Sequence, residues 1–387
     1  MSALPAPLAG PAFSSYSAEE VTWLLTDLST VDLEAPTEER EEAIQSGGAH
    51  YAESLPVEYQ PSAQYQELFR QALAVSAGRV AHAVGLVTEL VLSEKPRPVL
   101  VSLARAGTPI GILMRRWAAY AHGLSLPHHT ISIVRGRGID TVALRWLAEN
   151  YDPASVMFVD GWTGKGAITR ELAAAVRTLA DAGGPVFSEK LAVLADPGTC
   201  VDLFGTREDY LIPSACLNST VSGLVSRTVL NRDLIGPNDF HGAKFYSQLM
   251  PADVSGDFLD AISAEFPAVA EQVAADLPAL STSDRSPTWA GWAAVEAISA
   301  EFGIGETTLV KPGVGETTRV LLRRVPWRIL ARRGAGDDLA HVRLLAAQRG
   351  VQVVEVDDLP YTCVGLIHPQ FTRGATGGSG TAVGATA

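Results

Sequence analysis

Val156-Met157-Phe158-Val159-Asp160-Gly161-Trp162-Thr163-Gly164-Lys165-Gly166 is an apolar run, then a carboxylate, then a Gly/Thr-rich turn. The continuous run up to Val159 predicts a parallel strand buried on both faces. Beyond Gly166, Ile168, Leu172, Val176 and Leu179 fall on one face of a helix. A strand ending in an acid, with a glycine turn at a helix start, suits an anionic ligand. Backbone N–H groups and the positive helix end take a phosphate, while Asp160 holds sugar hydroxyls or a hydrated cation. The same residues also serve turn geometry alone in any strand-to-helix connection. A nucleotide-hydrolase phosphate loop is excluded: it needs Gly at 159 and Ser or Thr at 166, where the chain has Val159 and Gly166.

Working outward, the same grammar repeats. Pro98-Val-Leu-Val-Ser-Leu103 reads as a strand and is followed by Arg105-Ala106-Gly107-Thr108-Pro109. Thr108 suits a helix N-cap and Pro109 the first helical position, with Ile110, Leu113, Met114 and Trp117 as the apolar face. Thr130–Val134 reads as the next strand, followed by Arg135-Gly136-Arg137-Gly138 and a helix over about 141–149. Further strands are expected at 190–195 and 210–212. Upstream, Ser17 and Glu20 have capping-box spacing for a helix carrying Val21, Leu24 and Leu25, and a long helix is expected over 62–92. His50, Tyr51, Glu58 and Tyr59 lie in a loop, as pocket lining or surface. Strands alternating with helices predict an α/β fold with a parallel sheet covered on both sides and ligands at the carboxyl ends of the strands.

Length and composition bound the rest. A chain of 387 residues predicts two or three domains. A net charge of −13 argues against coating nucleic acid over the whole surface. No apolar run approaches the roughly 18 residues that span a membrane, and the N-terminus lacks the pattern of a signal peptide. Three cysteines, Cys200, Cys216 and Cys363, form neither a disulfide framework nor a zinc pattern. The expected location is cytoplasmic. Tyr210 to Gly223 is dense in hydroxyl residues. Within it, Cys216 reads as a buried or pocket-lining thiol, or as a nucleophile with His241 as its base.

The last third changes character. A break at 280–287 and a helical linker over 276–302 precede a unit at 303–369 with an α/β/α pattern, and a Gly/Thr/Ala-rich tail at 370–387 is expected to be disordered. Lys311, Arg319, Arg323, Arg324, Arg328, Arg332 and Arg333 stand against the single acid Glu316. That segregated charge predicts either a solvated basic face or a nucleic-acid contact.

The Asp160–Gly166 stretch resembles the phosphoribosyl-pyrophosphate motif of type I phosphoribosyltransferases, with one acid where that motif has a pair. Arg105-Ala106-Gly107 resembles the pyrophosphate loop of the same family, and Arg135-Gly136-Arg137-Gly138 stands in the place of its closing loop. The resemblance implies a phosphoribosyltransferase-like domain over 13–275 with a helical N-terminal extension. Gly161, Thr163, Gly164, Lys165 and Gly166 would hold the 5′-phosphate, and Asp160 the ribose and Mg²⁺. Ala106, Gly107 and Thr108 would hold the pyrophosphate with Arg105, while Arg135 and Arg137 close over it. The acceptor stays open. Over the same span the chain is similar to a bacterial tellurium-resistance and stress-operon family, also described as StiP-type cysteine protease. That description, with Cys216 as nucleophile, and a non-catalytic nucleotide sensor are the alternatives. Gly313-Val-Gly315-Glu316-Thr-Thr-Arg319 resembles the RNA-contact motif of Pelota-type domains, which implies binding of structured RNA through Gly313, Gly315, Glu316, Arg319 and Arg323.

Overall fold

The stretch ending at Asp160 lies inside a seven-stranded sheet in the computed structural model, which describes residues 4–35, 50, 52–58, 60–323 and 325–368. Tyr51, Tyr59, Arg324, the side chain of Arg323 and the tail 370–387 fall outside that description. The strands are β1 (Leu8–Ala9), β2 (Thr22–Leu24), β3 (Val99–Leu103), β4 (His128–Ile131), β5 (Val156–Trp162), β6 (Leu191–Ala195) and β7 (Leu203–Thr206). Their order is β1-β2-β4-β3-β5-β6-β7, and every neighbouring pair is parallel except β1 with β2.

The continuous apolar runs follow from two buried faces. In β5, Met157 and Val159 enter one core cluster while Val156 and Phe158 enter the other. Helices α1 (Ala63–Glu94) and α2 (Gly107–His122) cover the first face, with Val84, Ile112 and Trp117 in its cluster. Helices α3 (Thr141–Asn150) and α4 (Ala167–Asp181) cover the second through Leu144, Leu147, Leu172 and Val176. The neighbours β3 and β5 therefore send their helices to opposite sides, which opens a crevice at their carboxyl ends. Contrary to the expectation that no segment approaches membrane-spanning length, α1 is long and apolar enough to cross a membrane, but its apolar residues are mostly buried against α5 (Ser255–Ala264), α6 (Phe266–Thr282) and β7. The mixed α/β architecture with a mainly parallel sheet is as expected.

Three local expectations are corrected. Residues 18–20 form turns, not a helix start, and Thr22-Trp23-Leu24 is a strand paired with β4. β-branched and aromatic residues favour the pleated surface there. α2 starts at Gly107 without a side-chain cap, because the Thr108 hydroxyl is buried and shares a 3.1 Å hydrogen bond with Thr130. The edge strand is Leu203–Thr206 and not 210–212, where Pro213 starts a 3-10 turn.

The second unit contains α7 (Ala290–Glu301) and a four-stranded sheet. Its strands are β8 (Val310–Pro312), β9 (Arg328–Arg332), β10 (Gln352–Val356) and β11 (Cys363–Leu366), in the order β8-β11-β9-β10. Its other helices are α8 (Gly313–Arg323) and α9 (Ala340–Gln348). One face of this sheet has its own core around Val295, Leu330 and Tyr361. The other face is different: Val314, Leu321, Val342 and Leu345 belong to the same apolar cluster as α1 and the large sheet. Through this shared core the unit at 303–369 packs onto the first unit. Separating the units would expose these side chains, each worth about 1.5–3 kcal/mol of burial. The full chain should therefore melt in one calorimetric transition, and a version ended before Trp289 should lose solubility. Two resolved transitions would contradict the shared core.

Candidate functional site

A cleft of about 560 Å³ opens at the carboxyl ends of β3 and β5. Its floor holds Arg105, Ala106, Asp160 and Gly161; one wall is the turn from Ser214 to Asn218, and the roof is α8 with Gly315, Glu316 and Arg319. Two residue sets that lie far apart in sequence thus meet in one place.

Glu58, Asp160 and Glu316 face Arg105, Arg227 and Arg319 around the cleft. Glu58 accepts hydrogen bonds from the Ser219 amide and hydroxyl at 3.0 and 2.7 Å and lies 4.0 Å from Arg105. Arg105 donates to the Val225 carbonyl at 2.9 Å. Asp160 accepts from the Gly161 amide at 2.7 Å, but burial outweighs that bond and pushes its carboxyl up to about 7. Burial, and next the guanidinium of Arg105, pull Arg319 below its ordinary value. Glu316 Oε2 is buried with no hydrogen-bond partner among the described residues.

The Gly/Thr turn has another task. The Gly166 amide donates to Thr163 Oγ1 at 3.1 Å, and the Gly164 carbonyl accepts from Tyr361 Oη at 2.5 Å. Lys165 Nζ donates to the carbonyls of Thr307 and Val310 at 2.9 and 3.1 Å, and its burial lowers its pKa. The partners of Gly164 and Lys165 come from the second unit, so the turn joins the two units. Gly107 brings α2 against β5: a Cβ there would stand 2.5 Å from the Val159 carbonyl oxygen. Arg135 and Arg137 belong to a hairpin of Ile133–Val134 and Gly138–Ile139; Ile133 lines the cleft, and the two arginines do not. Glu171 accepts from the amides of Gly136 and Gly138 at 2.9 Å each, and Arg137 pairs with Glu53 at 3.2 Å. No three His, Cys, Asp or Glu side chains converge as metal ligands among the described residues.

The basic run of the second unit is not one face. Arg319 points into the cleft, Arg328 stacks 4.6 Å over the Trp327 ring, and Arg333 pairs with Asp357. Gly313 packs against Trp162 and Asp209. Arg227 was not singled out by the sequence, because an arginine in an irregular segment carries no pattern.

All three thiols are buried. Burial pushes Cys200 and Cys216 up to about 12 and Cys363 higher. Cys216 packs in the main core behind the cleft wall. The His241 ring bonds Ser132 Oγ at 2.8 Å and its amide bonds Asp140 at 2.6 Å, so the expected base has other partners.

Comparison with known proteins decides the family. Residues 14–263 match the family model described as tellurite-like stress resistance cysteine protease StiP. The chain belongs to the StiP family. Residues 289–369 match the Pelota RNA-binding domain. Cysteine protease StiP of Acinetobacter baylyi is 34% identical over 374 residues, covering 92% of this chain and 94% of that protein. The expectation of a phosphoribosyltransferase, and with it of a transferase class, is corrected: both the family and its curated member are named as a cysteine protease. The physical counterpart is the Thr163–Gly166 turn, in which the Lys165 ammonium and the Gly164 carbonyl are bonded by the second unit.

Asp160 provides a pH test. Its folded value lies above the ordinary carboxylate value, so its contribution favours the fold at low pH and is lost as pH rises from about 4 through about 7. Asp160→Asn should stabilise the protein above neutrality by about 1 kcal/mol, a figure reduced for the partial exposure of the group. It should make no difference at pH 4. Denaturant titrations at the two pH values check this.

Proposed function

We propose that the chain is a stress-resistance hydrolase of the cysteine-protease class, holding polypeptide in the cleft, with Cys216 as its nucleophile. Family membership supports the class, and one observation supports the residue. Cys216 alone of the three cysteines belongs to a turn that walls the cleft, between the lining residues Ala215 and Leu217. Cys200 sits beneath Gly166 and Cys363 lies in β11.

The chemistry sets conditions. A thiol held at about 12 is protonated at neutral pH, and only the thiolate attacks. The 213–216 turn must therefore swing the sulfur into the cleft and bring it to a base. No histidine lines the cleft among the described residues, and Asp160, near 7, is the lining group best matched to neutral proton transfer. Attack on a peptide carbonyl forms a thioester and releases the amine with the proton, after which water hydrolyses the thioester.

Fluorogenic peptide substrates and the full chain test the assignment. Cys216→Ala should lower turnover by roughly a thousandfold or more, with Cys200→Ala and Cys363→Ala much less affected. Undiminished hydrolysis by Cys216→Ala would reject Cys216. A second reading, a cleft that binds a nucleotide-like ligand without chemistry and reports to RNA, is favoured by the burial of all three thiols. It is supported if the folded wild type hydrolyses nothing yet binds such ligands. In either reading RNA is the proposed partner of the second unit, through exposed residues such as Arg332 that remain outside the cleft.

A further inference from the structure

We propose that the cleft recognises an anionic group on its ligand through a guanidinium pair drawn from both units, Arg105 of the first and Arg319 of the second. The inference rests on the cleft being the working site and names what that site selects.

The two guanidiniums draw on the same counter-charge: Glu58 faces Arg105 and also acts on Arg319, to which Glu316 adds. Arg105 and Arg319 line the same cleft, and the charge of Arg105 acts on Arg319. Two like charges brought out of water repel strongly, since low-dielectric surroundings remove screening. The nearest counter-charge on Arg105 is Glu58, at 4.0 Å, longer than a charge-assisted hydrogen bond, and Glu58 is already bonded twice by Ser219. Glu316 has one carboxylate oxygen with no hydrogen-bond partner among the described residues. The cleft thus offers two guanidiniums to an acceptor and one carboxylate oxygen to a donor.

A carboxylate or phosphate suits the first pair, because a guanidinium presents its N–H groups in a fork that matches two oxygens. An amide or hydroxyl on the same ligand suits Glu316. In a peptide hydrolase this means an acidic residue in the substrate, with a backbone N–H beside it. The same chemistry is offered by a small phosphorylated molecule. α8 is thereby a specificity element of the first unit's cleft, and the first unit alone holds only one of the two guanidiniums.

Calorimetry on the full chain separates the possibilities without needing catalysis. The probes are a capped peptide containing one aspartate, its asparagine counterpart, and inorganic phosphate. The aspartate peptide should bind at least about tenfold more tightly than the asparagine peptide. Arg319→Gln should erase that preference, while Arg343→Gln, exposed and paired with Glu355 away from the cleft, should leave it unchanged. Glu316→Gln should shift anion affinity in the opposite direction, upward, because it removes a negative charge beside the guanidiniums. A merely structural role for α8 predicts no such opposition of sign. Phosphate binding that responds to both changes, with no peptide preference, would assign the anion to a phosphorylated ligand instead of an acidic peptide. Equal affinity for the aspartate and asparagine peptides and no phosphate binding would overturn the proposal. So would anion binding that survives Arg319→Gln in the folded protein; if that variant does not fold, the response to Glu316→Gln decides. Peptide hydrolysis is measured separately, so loss of anion preference and loss of the protease assignment remain distinguishable.

Discussion

Asp209 holds the two units in the position on which the cleft depends. Its carboxylate accepts from the Val314 amide at 2.9 Å and from the Thr362 amide at 2.8 Å, and its backbone carbonyl accepts from Thr362 Oγ1 at 2.7 Å. It is only 8% exposed. A buried acid is costly unless its oxygens are bonded, and here both are bonded by amides of the second unit. One of those amides opens α8, where the positive helix end favours a negative charge. Even so, burial dominates and pushes Asp209 up to about 6. The contact fixes the start of α8 beside the turn that follows Asp209 in sequence. That turn is the wall of the cleft, so one side chain sets the spacing between wall and roof.

A second junction works by the absence of side chains. Gly164, Gly198 and Gly291 meet at one point, with the Gly291 amide donating to the Gly198 carbonyl at 3.0 Å and Tyr361 donating to the Gly164 carbonyl. A Cβ on Gly198 or Gly291 would strike the Gly164 carbonyl oxygen. The start of α7 can approach the large sheet only because Gly198 and Gly291 carry no side chain. Arg170 closes the same seam by stacking 3.7 Å over the Trp292 ring.

These junctions explain what the sequence could and could not convey. The buried strands 99–103, 156–159 and 191–195 were legible because two covered faces demand unbroken apolar runs, a purely local consequence of the sheet. Asp160 and Arg105 were legible as residues at strand ends, and both line the cleft. The use of Thr163–Gly166 was not legible. Glycine, threonine and lysine in a turn are equally suited to a phosphate and to a neighbouring polypeptide, and only the partner decides. The partner, Thr307 to Val310 and Tyr361, lies more than a hundred residues away. Likewise, the spacing of Glu316 and Arg319 places them on one helical face without saying what that face meets.

What that face meets constrains the second unit. Glu316 and Arg319 belong to the stretch that resembles the RNA-contact motif of Pelota-type domains, and here they line the first unit's cleft. A guanidinium has one set of donors, and Arg319 cannot give them to a cleft ligand and to an RNA phosphate at once. Any ligand that holds Arg319 in the cleft therefore opposes RNA contact through this face. By thermodynamic reciprocity, RNA that draws α8 away must weaken the cleft ligand by the same factor. Contact through the face also requires breaking the Asp209 bonds and exposing Val314 and Leu321, whereas contact elsewhere on the second unit does not. The energetic separation of those two routes comes from the shared core, not from the basic residues themselves.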